Sequence, residues 1–105
     1  MAQGEEQNVA WYDEYIERRP GHCGGYPVLK RFNMSVRIIV EWSRQTADFA
    51  ALCEALPACT PEEIRAALAY YQDHVPLIEE DIARNQRAWD EVVAGKWQAK
   101  ASPST

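Results

Sequence analysis

Apolar positions recur every three to four residues from residue 35 onward, and before that point they do not. Residues 11–35 are short, irregular pieces. Tyr15–Arg18 and Tyr26–Lys30 read as two strands, separated by the turn signals Pro20-Gly21 and Gly24-Gly25. Arg31-Phe32-Asn33 would turn the chain into a third extended piece, making a small sheet or hairpin. Pro27 has no amide hydrogen to donate, so its strand must lie at an edge or begin there.

The helical part begins at Ser35, a good N-cap residue. Val36, Ile38, Ile39, Val40 and Trp42 predict an apolar first helix over about 36–46, although the same β-branched run also fits a strand. Asp48 can cap a second helix, in which Phe49, Leu52, Cys53 and Leu56 recur at i, i+3, i+4 and i+7, the stripe of a helix lying on a core. Pro57 ends it. Thr60-Pro61-Glu62-Glu63 is the clearest local signal. Thr60 stands at N-cap, Pro61 at N1, and Glu63 can reach back to the N-cap amide. Ile64, Ala67, Leu68 and Tyr71 then form the inner stripe of a third helix, to about Asp73. Pro76 opens a fourth, about 76–94, with Ile78, Ile82, Trp89 and Val93 on one face and Gly95 as a stop signal. The second helix, a four-residue turn and the capped third helix make a helix-turn-helix pattern that the first helix would buttress.

Length and composition place this pattern in one ordinary domain. The chain has 105 residues, 47 % hydrophobic and 26 % charged. Residues 11–97 would form the domain, between polar tails at 1–10 and 98–105. The N-terminus lacks the basic start and apolar stretch of a signal peptide, and no run is apolar enough to cross a bilayer. Three cysteines cannot all pair within the chain. A cytoplasmic location is expected. The net charge of −5 hides an uneven layout. Residues 1–17 carry five acids and no base. Residues 18–44 carry Arg18, Arg19, Lys30, Arg31, Arg37 and Arg44 against Glu41 alone. Residues 45–95 carry ten acids and three bases. A surface that meets an anion would therefore lie in 18–44.

Several stretches together resemble one known bacterial family. They are Gly21-His22-Cys23-Gly24-Gly25-Tyr26-Pro27-Val28-Leu29-Lys30, then Val36-Arg37-Ile38-Ile39, then Leu56-Pro57-Ala58-Cys59-Thr60-Pro61-Glu62-Glu63-Ile64-Arg65-Ala66-Ala67-Leu68-Ala69-Tyr70-Tyr71. The family is catalogued as domain of unknown function 433, and the resemblance covers about residues 14–85. It implies a mainly α fold: a three-helix, homeodomain-like helix-turn-helix core with a short N-terminal β element and an additional C-terminal helix. Members often lie beside a PIN-like nuclease-fold protein, which implies the antitoxin half of a toxin–antitoxin pair. Where the family usually reads Gly-Thr-Arg, this chain has Arg31-Phe32-Asn33.

The residues offer two kinds of binding surface. DNA contact would use Lys30, Arg31, Arg37 and Arg44, with Arg65 from the third helix. That helix leads with Glu62 and Glu63, which suit a helix N-terminus and oppose a polyanion. Protein contact would use Glu79, Glu80 and Asp81 on a solvated face, with Trp89 and Trp97; Trp11, Tyr12 and Trp97 all lie where little core is expected. Aromatic residues are enriched at interfaces, and a homodimer is expected. A PIN-like toxin protein is the partner the resemblance implies. His22, Cys23, Cys53, Cys59 and His74 lack the spacing of a metal knuckle. No cofactor and no enzymatic activity are expected: His74 suits a helix C-terminus, Glu79-Glu80-Asp81 a solvated face, and short helices offer little cleft.

Overall fold

Local capping and turn chemistry set most of the elements. A computed structural model describes residues 10–101, with side chains through residue 95. Strand β1 (Ile16–Glu17) pairs antiparallel with β2 (Val28–Leu29), Ile16 opposite Leu29 and Glu17 opposite Val28. The expected third extended piece is a single bridge from Ser35 to Val28. Pro27 stands just before β2, and its carbonyl accepts the Val36 amide at 3.1 Å, joining the sheet to the first helix. Between the strands, Gly24 has φ +67° and lies so close to Arg84 that a Cβ there would meet the guanidinium at 3.0 Å.

Four helices follow: α1 (Val36–Ser43), α2 (Phe49–Ala55), α3 (Pro61–Asp73) and α4 (Val75–Ala101). The fold is mainly α. The β-branched run of α1 buries Val36, Ile39 and Val40, so its helical spacing outweighs its strand propensity. This helix stops at Ser43 rather than near 46, where the Ser43 and Thr46 hydroxyls donate to the Val40 and Trp42 carbonyls at 2.5 and 3.1 Å. Ser35 occupies the N-cap position but makes no side-chain cap bond. Asp48 does cap α2, accepting the Ala51 amide at 2.9 Å. At α3 both halves of the capping box form. Thr60 Oγ1 accepts the Glu63 amide at 3.1 Å, and Glu63 Oε1 accepts the Thr60 amide at 2.9 Å.

The core differs from the sequence pattern in three places. Tyr12, expected to lie outside it, is buried: its ring meets Tyr70 edge-on at 5.4 Å and its hydroxyl donates to Asp73 Oδ2 at 2.6 Å. The inner face of α3 is rotated from the expected stripe. Ile64 and Ala67 are buried as expected, but Ala66 and Tyr70 join them while Leu68 and Tyr71 are only half-buried, because α3 packs on both α1 and the N-terminal segment. Finally, α4 begins at Val75 and runs through Gly95 to Ala101, so Gly95 does not stop it. Ile78 is fully buried and Ile82 packs at the core's edge. Trp89 and Val93, expected on the same face, are exposed. The expected tails lie outside the described residues at 1–9 and 102–105, whereas 98–101 are helical.

Replacing Thr60 with Ala should lower stability by about 1 kcal/mol, the usual worth of an N-cap side chain. Urea unfolding would show this as a lower midpoint at unchanged slope. An unchanged midpoint would mean that the box does not hold α3.

Candidate functional site

The residues proposed for two separate surfaces are largely paired with each other. Arg31 grips Glu63 with both arms of its guanidinium, Nε to Oε2 and Nη2 to Oε1, each at 2.8 Å. Its Nη2 also donates to the Ala58 carbonyl at 2.5 Å, and its guanidinium lies 4.7 Å over the Phe32 ring. Glu63 is 5 % exposed. Arg31 holds its carboxyl below the usual carboxylate range, against the effect of burial and with help from the Thr60 amide. All three residues of the Arg31-Phe32-Asn33 turn are engaged: Arg31 clamps the start of α3, Phe32 lies under its guanidinium, and Asn33 accepts from Arg19 Nη2 at 2.8 Å.

Arg37 and Arg44 follow the same rule. Arg37 pairs with Glu41 one turn along α1 at 2.8 Å, and its Nε lies 3.8 Å from Asp81 on α4. Asp81 is 2 % exposed, so it does not belong to a solvated acidic face. Arg84 approaches its other oxygen at 3.2 Å, yet burial still pushes the Asp81 carboxyl up. Arg44 pairs with Glu79 of α4, and the Tyr71 hydroxyl donates to the same Glu79 oxygen at 2.6 Å. Tyr71 and then Arg44 lower the Glu79 carboxyl. Glu80 accepts from the Tyr26 hydroxyl at 2.9 Å. Among the described residues, Lys30 and Arg65 form no ion pair; Arg65 lies 4.9 Å over the Phe49 ring.

Cys59 and His74 have structural surroundings. Cys59 is buried, and burial raises its thiol. His74 stacks on Tyr70 at 4.2 Å, at the C-cap of α3. Cys23 is exposed, with a left-handed φ of +53°.

Two shallow grooves lie beside the Arg31 and Arg44 ion pairs. One, of about 390 Å³, is lined by Glu14, Tyr15, Lys30, Arg31, Thr60 and Glu63. The other, of about 530 Å³, is lined by Ile38, Glu41, Trp42, Arg44 and Gln45 on the outer face of α1. Sequence reading counted Trp42 among the apolar residues of α1, but it is exposed here.

The unpaired apolar surface lies farther out. The molecule measures 70 × 31 × 22 Å because α4, about 40 Å long, carries its second half away from the body. On that half Trp89 is 60 % exposed, Val92 48 % and Val93 43 %. The side chain of Trp97 lies outside those described. No helix among the described residues is long and apolar enough to cross a membrane.

A family model described as a protein of unknown function, DUF433, matches residues 16–71, which spans β1, β2 and α1 to most of α3. The crystal structure of a DUF433 member from Anabaena variabilis is similar, at 27 % identity and a TM-score of 0.59. That similarity covers 78 % of this chain and 81 % of the other. No curated protein matches.

Because Glu63 titrates lower in the folded chain than in the unfolded one, its pairing stabilises the fold above about pH 4.3, the unfolded carboxylate value. That stability is lost as pH falls through the lower folded value. Replacing Glu63 with Gln should therefore make the acid-side fall of stability shallower, as read from thermal melts between pH 6 and pH 3. An identical acid limb would show that the Arg31–Glu63 pair is not coupled to folding.

Proposed function

The chain belongs to the DUF433 family of proteins of unknown function, and we propose that it works by binding another macromolecule rather than by catalysis, with the outer half of α4 as its docking arm. One observation carries this reading: Trp89, Val92 and Val93 are exposed on a helix that has left the body. Contiguous exposed apolar surface on a small protein marks interaction sites. The chemistry-bearing side chains favour binding over catalysis as well, since Cys59 and His74 are engaged in packing. The concrete form is an antitoxin-like protein that holds a PIN-like toxin, as the family resemblance implies. In that form α1, α2 and α3 act as the helix-turn-helix-like body, and α4 as the protein-binding element. Glu79 and Asp81 serve the body rather than the toxin, because each already faces an arginine.

An autoregulatory DNA contact has less to work with. Arg31, Arg37 and Arg44 each face a carboxylate, which leaves Lys30 and Arg65 as the free bases of the proposed set. Observed affinity for DNA falls with salt in proportion to the phosphates neutralised. Titration against its own upstream DNA should therefore give weak binding with a shallow salt slope, on the order of two phosphates. A steep slope abolished by changing Arg31 and Arg37 to Ala would restore the basic segment as a DNA surface.

Co-expression with the product of the neighbouring gene, which this reading expects to be PIN-like, tests the main reading. The tagged full-length chain should retain that protein, and a Trp89→Ala/Val92→Ala/Val93→Ala variant should release it. If the unaltered chain retains nothing, the antitoxin-like role is wrong.

A further inference from the structure

The base of the arm carries a contact built from a strained turn and a buried charge. We propose that Asp81, Arg84 and the left-handed turn Cys23–Gly25 form a charge-dependent latch, which fixes where α4 leaves the body and opens when Asp81 takes up a proton. Whatever meets the arm, its direction is inherited from this contact.

The turn comes first. Cys23, Gly24 and Gly25 all lie in the left-handed region, at φ +53°, +67° and +79°. Glycine adopts that region freely and other residues rarely do. The run sets the bare Cα of Gly24 against α4, where a Cβ would meet Arg84 Nη2 at 3.0 Å and Cζ at 3.2 Å. The same guanidinium lies 4.9 Å over the Tyr26 ring, and the Tyr26 hydroxyl donates to Glu80 at 2.9 Å. Arg18 Nε braces the turn by donating to the Gly25 carbonyl at 2.6 Å. Past Arg84, Asn85 is half-buried and residues 86–95 are exposed. Arg84 therefore grips the turn at the point where α4 loses the body.

Asp81 holds that guanidinium in place. Its carboxylate is buried and accepts from Arg84 Nη2 at 3.2 Å. Arg37 Nε, from α1, is 3.8 Å away, beyond hydrogen-bond range, and Arg37 also pairs with Glu41 at 2.8 Å. The charged and titratable groups around Asp81 are thus Arg37 and Glu41 from α1, Arg84 on its own helix, and Tyr26 beside the turn. Burial pushes the Asp81 carboxyl up in spite of both guanidinia, and Glu41 adds to the effect. Asp81 then binds its proton more tightly in the folded chain than in the unfolded one, so its protonation favours the fold, the opposite sign to Glu63. When Arg84 swings away, a positive charge leaves the side of the carboxyl and the proton binds more tightly still. Proton uptake therefore favours the open latch.

Hydrogen exchange of the full-length chain, resolved along the sequence, tests this. Amides at 84–88 close on carbonyls at 80–84 and report the latch, while amides of α3 report the body. Arg84→Met should speed exchange at 84–88 by about three- to tenfold and leave α3 unchanged. Asp81→Asn, which is uncharged at every pH, should do the same at neutral pH. Its urea midpoint should equal or exceed that of the unaltered chain, because a poorly partnered buried charge has gone while Arg37 keeps Glu41 and Arg84 keeps water. Arg87→Met, at an exposed base without an ion pair among the described residues, should change neither region. Between about pH 7 and about pH 4, exchange at 84–88, corrected for its intrinsic pH dependence, should rise in the unaltered chain and stay level in Asp81→Asn. Undiminished protection at 84–88 in Arg84→Met would show that the turn does not hold the helix. A lowered urea midpoint in Asp81→Asn, or the same pH response in both chains, would overturn Asp81 as the switch.

Discussion

A carboxylate at the start of a helix is favoured by the helix dipole and by unpaired amides, and Glu63 uses that position twice. It closes the capping box on the Thr60 amide, and it receives the two-pronged grip of Arg31 from the turn after β2. One nearly buried side chain therefore satisfies the end of α3 and fixes where the small sheet sits on it. The sheet is only two residues deep, far too small to stand alone. Its placement depends on this contact, on the Pro27 carbonyl at the start of α1, and on the burial of Leu29 and Ile16.

The same device recurs where α1 meets α4. Arg37 on α1 and Arg44 at its C-cap, seven residues apart, face Asp81 and Glu79 on α4. Exposed pairs such as Arg44–Glu79 contribute little to stability because water screens them. Asp81 is different, because leaving a buried charge without partners is costly. These pairs set direction and register more than they add stability. They hold the start of α4 to the body, which Arg84 still meets at Tyr26, and leave residues 86–95 exposed.

This arrangement separates the molecule into two chemical regions. The body is electrostatically satisfied: most of its basic segment is matched by its own acids. The arm is apolar along one side and lies away from the body. The exposed apolar side chains Trp89, Val92 and Val93 all lie on the arm, and the body sets the direction in which it leaves. The Arg31-Phe32-Asn33 turn strengthens the body, since Arg31, stacked on Phe32, holds the start of α3.

The capping signals were legible in sequence because they are local: Asp48, and Thr60 with Pro61 and Glu63, act within four residues of themselves. The order of strands and helices followed for the same reason, as did the turn glycines. The contrast between the basic 18–44 segment and the acidic 45–95 segment was also visible. What that contrast meant was not, because charge pairing across 30 to 40 residues depends on which helix faces overlap. Tyr12 could be placed in the core only once Tyr70 and Asp73 had come beside it. The length of α4 escaped the pattern because Gly95 signals a stop only where a helix has somewhere else to go. Local chemistry set where elements begin, and packing decided which charges met and which apolar face was left uncovered.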